Sequence, residues 1–115
     1  MMLLILLIAS CFSPTEDLAS ALKKHYSSLQ WGDVDGALYN VDGALADAFY
    51  KEWSNLLTTQ QIAGYKLLRV LLTEGERKAL VQVEFMFYAQ NTMIAKKEVQ
   101  SHTWEKKNNT WRRIQ

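Results

Sequence analysis

The hydrophobic period of this chain changes once, near Gly64, from a helical repeat to alternation. Before that point Leu18, Ala21, Leu22, His25, Tyr26 and Leu29 recur at helical spacing and define one buried stripe. Ser13 is placed to cap this helix, Pro14 suits its first position, and Glu16 stands where a capping box puts its acid. Trp31-Gly32 closes it, glycine being the usual residue just past a helix end. After Gly64 the pattern is that of strands. Tyr65 to Leu72 is rich in Leu and Val, and Thr73-Glu74-Gly75-Glu76 reads as a turn. Lys78 to Ala89 alternates, with Ala79, Val81, Val83, Phe85 and Phe87 on one face and Leu80, Gln82, Glu84, Met86 and Tyr88 on the other. Gln90-Asn91-Thr92 begins a turn, about Lys96 to Glu105 a third strand, Lys106-Lys107-Asn108-Asn109 a turn, and Trp111 to Ile114 a last short strand. Helices followed by hairpin-linked strands predict an α+β domain: two to three N-terminal helices packed on a four-stranded antiparallel meander sheet.

Between the two regimes lies an internal repeat, Val34-Asp35-Gly36-Ala37-Leu38 and Val41-Asp42-Gly43-Ala44-Leu45. Its seven-residue offset is close to two helical turns, which would put equivalent side chains on nearly one face. The stripe continues through Ala48, Phe49, Trp53 and Leu56, so helix is expected to about Thr58. Glycine inside a helix costs roughly 1 kcal/mol relative to alanine, so a break is expected near Asn40 to Gly43. A calcium loop does not fit these aspartates. With Gly43 as the loop glycine, Leu38 falls at the first ligand position and Phe49 where a bidentate Glu belongs. Capping and solvation are the roles left to them.

The chain has a single cysteine, at the end of the apolar run Met1 to Ala9, within Leu7-Ile8-Ala9-Ser10-Cys11. This ending resembles the lipobox of bacterial lipoproteins, whose cysteine sulfur receives a diacylglyceryl group. The resemblance implies that residues 1–10 are a signal peptide and that Cys11 is the lipid-attachment site, a palmitate-type membrane anchor. A single mature domain, 11–115, would follow. With Phe12 and Ser13 next, and no Asp of the kind that resembles an inner-membrane retention signal, the implied location is the bacterial cell envelope. There the outer membrane, facing the periplasm, is the better fit than the inner. The run is much shorter than the roughly 20 apolar residues of a membrane-spanning helix. An acylated lone cysteine leaves no disulfide framework, so about 105 residues rest on one hydrophobic core.

Net charge is +1, so strong attraction to nucleic acid is not expected. The charge is uneven: residues 11–60 carry three Lys/Arg and seven Asp/Glu, residues 61–115 ten and five. The basic pairs Lys96-Lys97, Lys106-Lys107 and Arg112-Arg113 fall on hairpin ends and the last strand, where they serve solubility or meet anionic headgroups.

A capped first helix, the segment Trp31-Gly32-Asp33-Val34-Asp35-Gly36-Ala37-Leu38, a third helix and a meander ending in Asn108-Asn109-Thr110-Trp111-Arg112-Arg113-Ile114 together resemble the nuclear transport factor 2-like superfamily. The likeness is to the small lipoproteins of that class, whose fold is a cystatin-like α+β cone, and it covers nearly all of residues 13–114. It implies a fold that hosts enzymes, ligand carriers and interaction modules alike, so function must be argued from the site.

Catalytic members of that superfamily place an acid–base residue inside the cone. The apolar face of the second strand contains no titratable group, so Glu84 is expected to face outward. A Glu84–His102 pair across the second hairpin would orient an imidazole for acid–base work, though an exposed cross-strand pair is the plainer account. His25 is expected in the core, hydrogen-bonded, with no third group to orient it as a base. No nucleophile elbow, phosphate loop or metal-ligand clustering occurs, so no catalytic residue, metal or cofactor is assigned. Two binding surfaces remain. Trp31, Trp53, Tyr26, Phe85 and Phe87 would line the cone, as core or as a pocket for a small apolar ligand. Met86, Tyr88, His102 and Trp104 would form a patch on the outer sheet face for a second copy or an envelope protein. The expected function is a lipid-anchored, non-catalytic binding module. A ligand carrier, or a small isomerase-, dehydratase- or hydrolase-type enzyme of the same fold, is the alternative.

Overall fold

Three helices precede one sheet in the computed structural model, which describes residues 16–73 and 75–115. Helix α1 is Glu16–Gln30, α2 Val34–Leu38 and α3 Gly43–Leu56. The strands are β1 (Gln60–Thr73), β2 (Lys78–Ala89), β3 (Ala95–Lys107) and β4 (Thr110–Arg113), in the antiparallel order β1-β2-β3-β4. This is the expected α+β architecture with a four-stranded meander. The proposed cap of α1 at Ser13 and the lipobox lie outside the described residues.

The expected break in the repeat is present, and it makes the two copies inequivalent. Asp33, just ahead of the first copy, caps α2 by accepting from the Gly36 N–H at 2.9 Å, while Asp35 sits in that helix's first turn. In the second copy Asp42 is itself the cap of α3, accepting from the Ala44 N–H at 3.2 Å. The copies therefore do not share one face of a continuous helix. The linker between them is held by β4: Val41 makes a parallel bridge to Arg113, whose N–H donates to Asn40 O at 2.7 Å.

Strand β1 begins at Gln60, four residues before the sequence shows alternation. Bulges between Ile62 and Gly64 and between Leu67 and Arg69 shift the register, which breaks the period of two. Strand β2 keeps its pattern. Ala79, Val81, Val83, Phe85 and Phe87 are all buried against Leu18, Leu22, Tyr26, Leu29, Phe49 and Trp53 from the helices. Trp53 packs on Phe85 and Phe87 at centroid separations of 5.4 and 6.3 Å, contacts worth roughly 0.5–1.5 kcal/mol each beyond area burial.

Helix α1 runs antiparallel to β1. Ser27 Oγ lies 3.3 Å from Tyr65 Oη, and Trp31, just past the helix end, shares a groove with Ile62 at the start of the strand. The Glu16 end of α1 therefore points towards the β1–β2 turn. The opposite end of the molecule carries the α1 and α3 C-termini and the β2–β3 hairpin.

Candidate functional site

Pairing fixes which face each β3 residue occupies. His102 lies opposite Val81 and Trp104 opposite Ala79, so both share the inner face. They are 3% and 0% exposed and cannot belong to an outer interface patch. Glu84 lies opposite Val99 on the outer face, as expected, so the sheet itself separates it from His102 and no Glu84–His102 dyad exists. The sequence could not settle this, because β3 carries polar residues on both faces.

From inside the cone to its exposed edge these residues build a directed hydrogen-bond chain. Trp104 Nε1–H donates to Tyr26 Oη at 3.3 Å, and the Tyr26 hydroxyl donates to His102 Nδ1 at 2.6 Å. His102 Nε2–H donates to Gln100 Oε1 at 2.8 Å, and the Gln100 amide donates to Glu98 Oε2 at 2.6 Å. A carboxylate can only accept, so Gln100 donates to Glu98 and its Oε1 takes the His102 Nε2–H; with the buried ring uncharged, Nδ1 is left to accept from Tyr26. His102 is therefore a neutral imidazole protonated on Nε2. Burial, then the charge of Arg113 and the neighbouring His25, pushes its pKa down to about 2. Burial pushes the Tyr26 phenol up to about 12.

A second cluster closes the other side. His25 Nδ1–H donates to Ala37 O at 2.9 Å, and His25 Nε2 accepts from Arg113 Nη1 at 3.2 Å. Burial, then Arg113, lowers the pKa of His25 to about 3. His25 is thus the hydrogen-bonded core histidine expected of it. Sequence reading missed Arg113, which it grouped with Arg112 as a surface pair. Residues two apart in a strand share a face, so Arg113 follows Trp111 inward, where it is only 7% exposed. It donates from Nε to the Gln115 main-chain oxygen at 3.1 Å and lies over the Phe49 ring at 5.1 Å. Arg112 points away and donates to Tyr39 O at 3.2 Å.

Chemically, both histidines and the tyrosine are held in one protonation state with their ring or hydroxyl partners already taken. Trp53, Phe85 and Phe87, candidates for lining a ligand pocket, are packed core. Among the described residues no group of His, Cys, Asp and Glu is arranged to hold a metal ion.

Trp31 behaves differently. It is 82% exposed, because Gly32 (φ +76°) turns the chain out of the helix immediately after it. It borders an open groove of about 380 Å³ with Leu57, Gln60, Gln61, Ile62 and Tyr88. Gln60 and Tyr88 also border a smaller, apolar groove of about 240 Å³ with Phe87, Thr92, Ile94 and Lys96. Tyr88 is held there by a hydrogen bond to Gln61 Oε1. Met93 and Ile94 project from the same hairpin, 96% and 71% exposed. Two candidates assigned from sequence to different sites, Trp31 and Tyr88, thus meet in one groove at the end of the cone. Met86, opposite Gly64 and Lys97, stays on the outer face as expected, half-buried.

No family model matches the chain, and no curated protein matches it either. Solved structures do. A nuclear transport factor 2-like protein of unknown function from Shewanella oneidensis aligns at a TM-score of 0.65 and 13% identity, over 89% of this chain and 95% of that one. A ketosteroid isomerase-like protein from Erwinia carotovora gives 0.64 and 14%, over 87% and 92%. A protein of unknown function with a cystatin-like fold from Nostoc punctiforme gives 0.63 and 10%, over 85% and 84%. Likeness at such identities is one of fold, and on that ground the chain has the nuclear transport factor 2-like, cystatin-like α+β fold.

Proposed function

We propose that this chain is a non-catalytic binding module, anchored through Cys11 to a bacterial envelope membrane and facing the periplasm. The groove bordered by Trp31 and Tyr88 receives an apolar or aromatic side chain of a partner protein. One observation carries this reading: the largest apolar side chain left in solvent stands at the rim of a groove, while the cone behind it is filled. Trp and Tyr at the edge of a concavity give large contact area at little loss of conformational freedom. A second copy of the chain is the simplest partner to supply such a side chain.

The test is native mass spectrometry of the full chain with Trp31→Glu as the comparison. The account predicts a complex, homodimer or heteromer, that disappears in the variant while thermal unfolding is unchanged. A monomer in both would reject the groove as an interface. A co-purifying lipid-sized mass would support the carrier alternative.

The enzyme alternative has one observation of its own, the 2.6 Å Tyr26–His102 hydrogen bond in a fold shared with a ketosteroid isomerase-like protein. Proton transfer requires the substrate within hydrogen-bond reach of the acid or base. Here Trp104 and Gln100 already occupy the remaining positions on that pair, and neither ring is open to solvent. An isomerase or dehydratase activity abolished by Tyr26→Phe in a folded protein would restore this alternative.

A further inference from the structure

The end of the molecule remote from Trp31 carries five cations on adjoining turns and strands: Arg77, Lys78, Lys106, Lys107 and Arg112. Three are engaged. Lys107 Nζ lies 3.1 Å from Asp42 and 3.6 Å from Glu105, Lys78 lies 3.9 Å from Glu105, and Arg112 donates to Tyr39 O. Arg77 and Lys106 have no ion-pair partner among the described residues. They are also neighbours across the strand ends, since Lys106 N–H donates to Arg77 O at 2.8 Å just beyond the last β2–β3 pair, Lys78 with Glu105. Like charges held side by side at a sheet edge repel, and an anion placed between them relieves that repulsion. The two residues border a concavity of about 460 Å³ whose other walls are Gly75, Glu76, Asn108 and Asn109. Among the described residues the site thus offers two cations without an ion-pair partner and two amides against one carboxylate.

Position identifies the occupant. Because α1 runs antiparallel to β1, its first residue, Glu16, lies at this same end, and the apolar run Met1–Ala9 and Cys11 precede it closely in sequence. We infer that Arg77 and Lys106 dock the phosphate of an anionic phospholipid headgroup, so that this end of the domain sits on the membrane. The long dimension of the molecule is 57 Å, so the Trp31 groove is then presented far from the bilayer. The inference rests on the proposed membrane anchor only through the short sequence distance from Cys11 to Glu16. It is tested without acylation, so its failure and that of lipidation are distinguishable.

The experiment is vesicle co-sedimentation of the full chain carrying Cys11→Ser, comparing phosphatidylglycerol-containing vesicles with pure phosphatidylcholine. Any contribution of the apolar N-terminal run enters both lipids equally and cancels in the ratio. Basic residues near an anionic surface contribute enough that removing two should lower the anionic-to-neutral ratio roughly tenfold to thirtyfold. Arg77→Gln/Lys106→Gln is expected to show that loss with an unchanged circular dichroism spectrum. Lys66→Gln/Arg69→Gln, which removes two cations from β1, is expected to keep the ratio near wild type. Equal losses in the two double variants, or no preference of the wild type for anionic vesicles, would overturn the inference. So would calorimetric binding of inorganic phosphate without any vesicle preference.

Discussion

Acidification from pH 7 to pH 5 should remove about 4 kcal/mol of folding stability, and the two histidines account for it. The chain has no others, and both are buried. Their folded-state pKa values lie far below the ordinary 6.5, at about 3 for His25 and about 2 for His102. The folded protein therefore keeps both rings neutral across the range in which the unfolded chain protonates them. Above pH 6.5 the full stability is present. Below it, stability falls by roughly 1.4 kcal/mol per pH unit for each histidine, down towards the folded pKa values. Between pH 7 and 5 that amounts to roughly 1.9 kcal/mol per ring, a large part of the roughly 5–15 kcal/mol typical of a domain. Urea unfolding followed by tryptophan fluorescence at the two pH values measures it, with Trp53 and Trp104 buried as reporters. His102→Gln should be less stable at pH 7 but should lose only about half as much on acidification. Equal unfolding free energies at pH 7 and 5 in the wild type would refute the neutral, internally bonded assignment of both rings.

Arg113→Ala should destabilise the fold by about 3 kcal/mol in chemical denaturation, because it leaves His25 Nε2 buried without a donor and opens space against Phe49. Trp53→Ala should cost about 3–5 kcal/mol, whereas Trp31→Ala should stay within about 0.5 kcal/mol; denaturation midpoints of the pair separate a packed tryptophan from one kept for contact. The repeat's two glycines should also part company. A Cβ at Gly36 would stand 2.3 Å from Asp33 Oδ2, the carboxylate that caps α2, so Gly36→Ala should lose about 1 kcal/mol; one at Gly43 meets nothing, so Gly43→Ala should be neutral or raise the melting temperature.

The parts of the fold that were legible in the sequence are those whose burial is one-sided. Helix α1 has a stripe of six residues, and β2 has five apolar residues in strict alternation, so each declared both its type and its inner face. Strand β1 hid its first four residues because the bulge at Ile62/Gly64 breaks the period there. The candidate site was obscured by register. On β3, hydropathy ranks Gln100 and His102 no more inward than Ser101 and Val99, and only the pairing to Val83 and Val81 assigns them. One residue's slip moves every side chain to the other face, which is how His102 and Trp104 came to be expected outside. Arg113 was legible in principle, since Trp111 and Arg113 must share a face, but reading Arg112-Arg113 as one basic pair concealed it. Trp31 was expected to line the cone with the other aromatics, but it stands in solvent beside Gly32, whose positive φ ends the helix.

The measurement that tests the binding-module account most directly is site-specific photo-crosslinking from position 31 in intact cells, with the exposed helix position Lys51 as the reference. The account predicts a protein adduct from position 31, at twice the chain mass if the partner is a second copy, that is absent from position 51 and abolished by Tyr88→Glu. No adduct beyond that seen from position 51, or one that survives Tyr88→Glu, would contradict it.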